Sequence, residues 1–245
     1  MPIVVGIHRY PAFGRLAYFR RVQRTLPGNL IGYYTLSEPV GTTGAGSVKD
    51  SSGFANHATP TNVTFESNGI GDEKSAALFN GTTSIINATV NPLATSFNGN
   101  EGSFLFWAKI TDATQWAAAT FPTFIRVFVD VNNYIIVQKN GVNISIARKA
   151  NSTVLSYIVP HGSTPIFLCT GMTWSVAGGF IKTYINGREI NNVNILTNFI
   201  GTPTEIFIGA NAAGSLVWPG LMAHVAIWNA PLTSDRMKSL MRVYV

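Results

Sequence analysis

The chain has 245 residues and a formal net charge of +6, a length that a single large β domain commonly reaches. Only 11% of its residues are charged and 46% are hydrophobic, whereas about 25% of a typical soluble domain is charged. No apolar run approaches the roughly 20 residues that cross a bilayer, and the single cysteine, Cys169, excludes an intrachain disulfide and is expected in the core. The low charge indicates either a surface of Asn, Thr, Ser and Gly or a surface covered by neighbouring subunits.

The positive charge is concentrated at the N-terminus. Residues 1–28 contain no acid and supply five of the six net positive charges. Their arginines are Arg9, Arg15, Arg20, Arg21 and Arg24. A sandwich that binds nucleic acid needs a basic face, so nucleic acid is not an expected partner of the nearly neutral remainder. We therefore predict a basic arm over residues 1–28 and one β domain over residues 29–245.

Apolar spacing in the arm predicts one short amphipathic helix that ends before Pro27-Gly28. The spaced residues are Leu16, Phe19, Val22, Gln23 and Leu26. Four interpretations are open: an arm that reaches onto a neighbouring subunit, a segment packed on its own sandwich, an organelle transit peptide, or a contact with nucleic acid or anionic lipid. For the first, the partner-binding residues would be Arg9, Arg15, Leu16, Phe19, Arg20, Arg21 and Arg24.

After the arm, short β-like segments alternate with turn residues. The polar stretch 41–68 is expected to be mostly loop. Along 103–109, Phe104 and Phe106 share one strand face and Leu105 and Trp107 the other. Predicted core tryptophans are Trp107, Trp174 and Trp228. Predicted strands are 30–36, 76–79, 83–86, 103–109, 124–130, 134–137, 142–146, 166–174, 180–185, 205–209 and 220–228.

The end of the chain predicts a single helix over residues 234–243. Thr233 suits the N-cap and Asp235 the first turn, where an acid favours the helix dipole. The apolar stripe is Met237, Leu240 and Met241.

Several short motifs occur in a fixed order along the domain. They are Gly32–Glu38, Asp50–Ala58 (D-S-S-G-F-A-N-H-A), Phe79–Thr82, Ser103–Lys109, Tyr184–Gly187, Ile208–Gly209, Trp218–Gly220, Val225–Asn229 and Leu232–Thr233. In this order they resemble the laminin-G-like, concanavalin A-like jelly-roll family, with Ala58 where that family usually has glycine. The resemblance implies an all-β fold, a two-sheet antiparallel jelly-roll sandwich with a short C-terminal helix and an N-terminal arm. Lectins, adhesion modules, hydrolases and viral structural proteins all share this fold, so the fold alone does not decide the function.

Catalytic patterns are missing from the sequence. Glycosidases use paired carboxylates, which on one strand occupy alternating positions, and none of the eleven acids has that spacing. The four histidines are scattered without metal-ligand spacing. We predict that the chain is not an enzyme and has no catalytic residues.

Ligand sites are harder to place. Relatives of this fold often hold calcium, for which Asp50 and Asn56 are the candidate ligands, yet both residues also suit Asx turns, so we predict no cofactor. A sugar site would need exposed aromatic side chains on the loop rim, for which the candidates are Trp116, Tyr134 and Trp218.

These observations favour a non-catalytic structural protein. We expect a virion component, such as a capsid decoration, spike or tail-associated subunit of a phage, that contacts other protein subunits through its arm and forms a homo-oligomer. A carbohydrate-binding module is the alternative, and a glycoside hydrolase is a third. Location in the virion follows from the first hypothesis, with a cytoplasmic or cell-surface location as the alternative because no secretion signal is recognised.

Overall fold

The alternating apolar segments form two stacked antiparallel sheets, and the predicted sandwich is confirmed. The structure, a computed structural model, describes residues 17–112, 114–115, 120–151, 153–160, 166–194, 197–212 and 214–242. The helices are α1 (Ala17–Arg24), α2 (Asn91–Ser96) and α3 (Ser234–Leu240). The strands are β1 (Leu30–Tyr34), β2 (Thr59–Thr61), β3 (Thr64–Asn68), β4 (Ser75–Asn80), β5 (Ile85–Asn87), β6 (Glu101–Ile110), β7 (Thr123–Asp130), β8 (Asn133–Asn140), β9 (Asn143–Ala150), β10 (Thr153–Pro160), β11 (Leu168–Ser175), β12 (Phe180–Ile185), β13 (Arg188–Val193), β14 (Glu205–Ile208) and β15 (Pro219–Trp228).

The two sheets differ in strand order. The eight-stranded sheet runs β13-β12-β11-β6-β15-β4-β3, and β1 also pairs with β15. The seven-stranded sheet runs β10-β9-β8-β7-β14-β5-β2. β15 pairs first with β4 and then with β1, and its register against β6 shifts between Ala223 and Ala226. His224 lies in this bulge with φ of +50°.

The main core lies between the sheets. Phe104 and Phe106 of β6 belong to this cluster with Trp174 and Ile206, whereas Leu105 and Trp107 belong to a second cluster. The alternation predicted for this strand is therefore confirmed. Trp107, Trp174 and Trp228 are all buried, as is Cys169, and burial raises the pKa of its thiol.

The second cluster lies on the outer face of the eight-stranded sheet, beneath α1 and α3. Tyr18 and Val22 of α1 and Met237 and Leu240 of α3 pack there. Because apolar groups cover both faces of this sheet, all eight residues of β11 are buried. Each fully buried side chain of this size contributes about 1.5–3 kcal/mol, so the two helices are part of the folded domain.

Among the described residues, the central strands of the seven-stranded sheet are buried on one face and partly exposed on the other. In β8, buried and partly exposed residues alternate along the whole strand, and β14 shows the same pattern. An antiparallel sheet with one free face has this alternation. The open face is therefore the broad sheet surface on which a ligand can bind.

The stretch 41–68 is mostly loop, as predicted, and ends in two short strands, β2 and β3, which lie at sheet edges. One prediction about the elements needs correction. Strands β10 and β13 were not predicted, and the pattern of β13 alternates only between exposed and intermediate residues. The C-terminal helix is confirmed, with Thr233 as its N-cap accepting a bond from the Arg236 backbone N–H. Among the described residues, no helix has the length and apolarity to span a membrane.

Candidate functional site

A groove crosses the open face of the seven-stranded sheet, over β7, β8 and the loop after β14. Its cavity measures about 240 Å³. The lining residues are Arg126, Phe128, Tyr134, Ile136, Gln138 and Asn211. The strand period of two places Arg126 and Phe128 on one face of β7, and Tyr134, Ile136 and Gln138 on one face of β8.

Strand pairing brings the groove residues side by side. Phe128 lies opposite Tyr134, and Arg126 lies opposite Ile136. Directly opposite residues have Cβ atoms about 4.5–5.5 Å apart, so the two aromatic side chains are neighbours on the floor of the groove. The Nζ of Lys149 lies 5.9 Å from the centre of the Tyr134 ring, at the edge of this floor.

Arg126 is held by its neighbours on all sides. Its Nε lies 3.0 Å from Oε2 of Glu205, and its Nη1 donates to the Asn211 side-chain oxygen. Its guanidinium carbon lies 4.1 Å from the centre of the Phe128 ring, within the range of a cation–π contact. These contacts fix the guanidinium before any ligand arrives, which lowers the entropic cost of binding.

The remaining polar groups are also positioned by bonds to the chain. Gln138 donates from Nε2 to the Phe121 carbonyl and to Oγ1 of Thr123, at 3.3 Å and 3.2 Å. The Asn211 backbone N–H donates to the Ser215 carbonyl at 3.0 Å. The groove thus offers planar amide and guanidinium groups beside flat rings. That combination suits a ligand with hydroxyl groups along one side and C–H groups along the other.

The structure separates the three aromatics predicted to bind sugar. Tyr134 lies in the groove, and Trp116 lies outside the described residues. Trp218 is fully buried: its ring centre lies 4.4 Å from that of Phe124, and its indole N–H donates to the Leu221 carbonyl at 3.2 Å. The expectation that Trp218 lies on an exposed rim is therefore wrong, because the residue packs between the sheets as core.

The loop that carries Asp50 and Asn56 is organised by the Asp50 carboxylate. Its Oδ1 accepts from the backbone N–H groups of Tyr33 and Ser52, at 2.8 Å and 2.9 Å. Its Oδ2 accepts from the Ser52 hydroxyl at 2.7 Å and from the Asn56 backbone N–H at 2.9 Å. These four bonds make Asp50 the anchor of a tight turn, the role that an Asx turn assigns to it.

Asn56 ties the same loop to the sandwich. Its Nδ2 donates to the Ile31 carbonyl at 2.7 Å, and the Tyr34 hydroxyl donates to its backbone carbonyl at 2.7 Å. In the described part of the chain, no group of three or more His, Cys, Asp and Glu side chains is arranged to hold a metal ion. The prediction that the chain has no cofactor stays a prediction, with Asp50 and Asn56 as the candidate ligands should calcium bind.

The described part of the arm is α1, which lies on the chain's own sandwich. Phe19 is half-buried, with its ring centre 5.5 Å from that of Tyr33. Arg21 donates to the carbonyls of Ser239 and Arg242 at the end of α3, while Arg20 and Arg24 are exposed. The other predicted arm residues, Arg9, Arg15 and Leu16, lie outside the described residues.

Sequence reasoning missed most of the groove. Arg126 and Phe128 lie on a predicted strand, whose alternation already puts them on one face, whereas Gln138 lies one residue past the predicted strand 134–137. Nothing in a single strand says which face is open, because that depends on which face packs against the other sheet. Asn211 lies in the loop after β14, and the position of a loop residue cannot be predicted from periodicity in the sequence.

The family model for the concanavalin A-like lectin/glucanase superfamily matches residues 80–237, more than half of the chain. The chain belongs to the concanavalin A-like lectin/glucanase superfamily. The match covers β6, β7, β8 and β14 of this superfamily member, and so includes every strand of the groove. No curated protein matches the chain in sequence.

Solved structures share the fold at low sequence identity. The receptor-binding domain of botulinum neurotoxin mosaic serotype C/D, with tetraethylene glycol bound on its Hcn sub-domain, aligns with a TM-score of 0.67 and 15% identity. The alignment covers 88% of this chain and 51% of the toxin chain. The serotype D ligand-binding domain in complex with N-acetylneuraminic acid aligns at 0.64 and 16%, over 91% and 52% of the two chains. The superfamily member described here thus spans about half the length of these toxin chains.

A third structure matches over nearly its whole length. Domain 4 of AbnA, a GH43 extracellular arabinanase from Geobacillus stearothermophilus, in complex with arabinotriose, aligns with a TM-score of 0.62 and 19% identity. The alignment covers 87% of this chain and 98% of that domain. At these identities the three structures show the common sandwich fold.

Proposed function

We propose that this chain is a non-catalytic module that binds a carbohydrate in the groove over β7 and β8. The observation that carries the proposal is that Phe128, Tyr134 and a fixed guanidinium, that of Arg126, line one groove on a partly exposed sheet face. Sugars present C–H groups that stack on aromatic rings and hydroxyl pairs that bond to planar polar groups. Two similar folds are known with N-acetylneuraminic acid and arabinotriose, which supports this ligand class.

The carboxylates near the groove support binding in place of hydrolysis. Glycoside hydrolysis needs two carboxyl groups, one of which donates a proton to the leaving oxygen. Glu205 is committed to Arg126 at 3.0 Å, and its side chain is 31% exposed. Asp130 accepts from the Asn132 backbone N–H at 2.7 Å, and that bond holds its carboxyl pKa below the ordinary value. Asp130 is therefore not set up to supply a proton at neutral pH, and the Glu205 carboxylate is engaged by Arg126.

A glycan array probed with the labelled full chain tests the proposal. We expect a small set of related glycans to bind, and Tyr134→Ala and Phe128→Ala each to weaken the best of them about tenfold or more, as loss of a buried aromatic contact does. Phe54→Ala is the matched control, because Phe54 is an aromatic side chain, 48% exposed, on the loop anchored by Asp50. Equal binding by all four proteins, or no glycan bound at all, would remove the groove from consideration.

A subunit role in a larger assembly, such as a virion, is the second candidate. The observation in its favour is that large apolar side chains are exposed although the chain has few charges; Val131 is 69% exposed and Ile200 is 56% exposed. Neighbouring subunits commonly bury such groups. Light scattering on the full chain decides between a defined oligomer, which this role requires, and a monomer, which contradicts it.

A further inference from the structure

A second cavity lies on the opposite side of the molecule from the groove, between α1 and α3. It measures about 400 Å³ and is lined by four arginines, three from α1 and one from α3. They are Arg20, Arg21, Arg24 and Arg236. We call this cavity the arginine cleft. Its two walls come from residues more than two hundred positions apart, and only folding brings them together.

Arg21 is the residue that joins the two walls. Its Nη1 donates to the Ser239 carbonyl at 3.0 Å and its Nη2 to the Arg242 carbonyl at 2.8 Å. These carbonyls lie at the C-terminal end of α3, where the helix dipole attracts a cation. Arg21 therefore holds α1 against the end of α3, and these two bonds fix the distance between the walls of the cleft.

The other three arginines present their charge to solvent. Arg20, Arg24 and Arg236 are exposed, and within the described ranges of the chain their guanidinium groups make no hydrogen bond or ion pair. No carboxylate is among the described residues that line the cleft; Asp235, which precedes Arg236 in α3, is not one of them. Neighbouring positive charges with no carboxylate between them repel each other. This repulsion lowers the stability of the folded chain, and a bound anion would relieve it.

We propose that the arginine cleft binds a small ligand bearing several sulfate or phosphate groups. Guanidinium groups form paired, charge-assisted hydrogen bonds to such oxyanions, and three of them around one cavity can engage more than one group at once. The volume fits a small ligand, since such sites are commonly about 300–1,000 Å³. This site is separate from the carbohydrate groove and does not depend on it.

Calorimetric titration of the full chain with inositol hexakisphosphate and with sucrose octasulfate tests the proposal. We expect saturable binding of one or both, weakened by added salt because exposed charges are screened, and no binding of neutral inositol or sucrose. The two anions distinguish a phosphate from a sulfate source. Absence of saturable binding to both, or equal binding of the neutral parents, overturns the proposal.

Variants locate the bound anion. Arg20→Ala/Arg24→Ala/Arg236→Ala should weaken binding at least about tenfold, since each arginine contributes a charge-assisted contact. Lys49→Ala/Lys109→Ala/Lys182→Ala removes the same three charges away from the cleft and should retain near wild-type affinity. Arg236→Glu serves as a single-site second variant should the triple variant unfold. Equal losses in both triple variants, or displacement of the anion by a DNA duplex at lower concentration than by either small anion, would overturn the assignment.

Discussion

His224 and Asp72 form a buried pair beneath α1, with Nε2 of the imidazole 2.8 Å from Oδ2 of the carboxylate. On the other side of the ring, Nδ1 lies 2.8 Å from the Tyr33 hydroxyl. The Tyr18 ring packs edge-on against the imidazole, with the ring centres 4.7 Å apart. This row of acid, imidazole and phenol is sealed from solvent, since His224 and Tyr33 are fully buried and Asp72 is 8% exposed. Its role is to hold the bulge of β15 against the loop before β4.

The buried pair predicts acid sensitivity. Burial raises the pKa of the Asp72 carboxyl, but the hydrogen bond and charge of His224 outweigh burial and hold that pKa below its ordinary value. A carboxyl whose pKa is lowered by folding stabilises the protein above its unfolded pKa, and this stability is lost as the pH falls through the folded pKa. We expect the free energy of unfolding to decline below about pH 4.

Urea unfolding of Asp72→Asn at neutral and acid pH measures this contribution. The variant should be less stable at neutral pH by about 1–3 kcal/mol, since it loses a hydrogen bond to a charged group, and should show a shallower decline in acid. Asp235→Asn removes the same charge from an exposed site at the start of α3 and should lose only the helix-dipole contribution, about 0.3–1 kcal/mol at neutral pH. Identical pH profiles for wild type and Asp72→Asn would show that the pair does not contribute.

The docking of α1 predicts the effect of one hydroxyl group. The Trp107 indole N–H donates to the Tyr18 hydroxyl at 2.6 Å, and both residues are buried. Tyr18→Phe leaves that donor buried without its acceptor, which costs about 1–3 kcal/mol of unfolding free energy. Tyr134→Phe, at a partly exposed tyrosine, is the control and should change stability by less than about 0.5 kcal/mol. If both variants unfold alike, α1 is not docked as described.

Two glycines with positive φ predict different costs for the same substitution. Gly209 has φ of +82°, and a Cβ there would lie 2.0 Å from the Phe79 ring; Gly214 has φ of +70° with open space around it. Gly214→Ala should cost only the backbone strain, about 1–2 kcal/mol. Gly209→Ala adds overpacking against a buried ring and should cost about 2–5 kcal/mol. Thermal unfolding of the two variants checks the order, and a larger loss at Gly214 would contradict it.

Because Trp218 is buried outside the groove, we expect its substitution to lower stability without changing glycan affinity. Trp218→Phe removes a buried hydrogen bond and leaves a void, so the free energy of unfolding should fall by about 1–3 kcal/mol. Because the side chain is outside the groove, affinity for the array-selected glycan should stay within about twofold of wild type. A large loss of affinity in a variant that remains folded would return Trp218 to the binding site.

The sequence predicts most of the core strands and the C-terminal helix because alternation and capping are local, and it misses β10 and β13 and the short edge strands β2 and β3. Leu105 and Trp107 could be assigned to one face of β6 from their spacing alone. What covered that face could not be assigned, since the helix that covers it, α1, has a periodicity compatible with docking on this chain or on a neighbour. The local sequence pattern of α1 therefore does not distinguish packing on its own sandwich from packing on a neighbouring subunit.

Both candidate sites depend on long-range placement. Arg126 and Asn211 are 85 positions apart, and Arg20 and Arg236 are farther apart still. Trp218 follows a stretch of loop, which suggested a rim, but the bond of its indole to Leu221 turns it inward. The pattern in a single sequence indicates on which side of its strand a residue lies. It does not indicate which distant residues pack against that side.

The central claim is that a carbohydrate binds on the floor formed by Phe128 and Tyr134. The most direct measurement is a crystal structure of the full chain soaked with the glycan that binds best on the array. We expect a sugar ring stacked on Tyr134 or Phe128, with hydroxyl groups within hydrogen-bond distance of Arg126 or Gln138. Density for the sugar at the Asp50 loop, or in the arginine cleft, with an empty groove would contradict the claim.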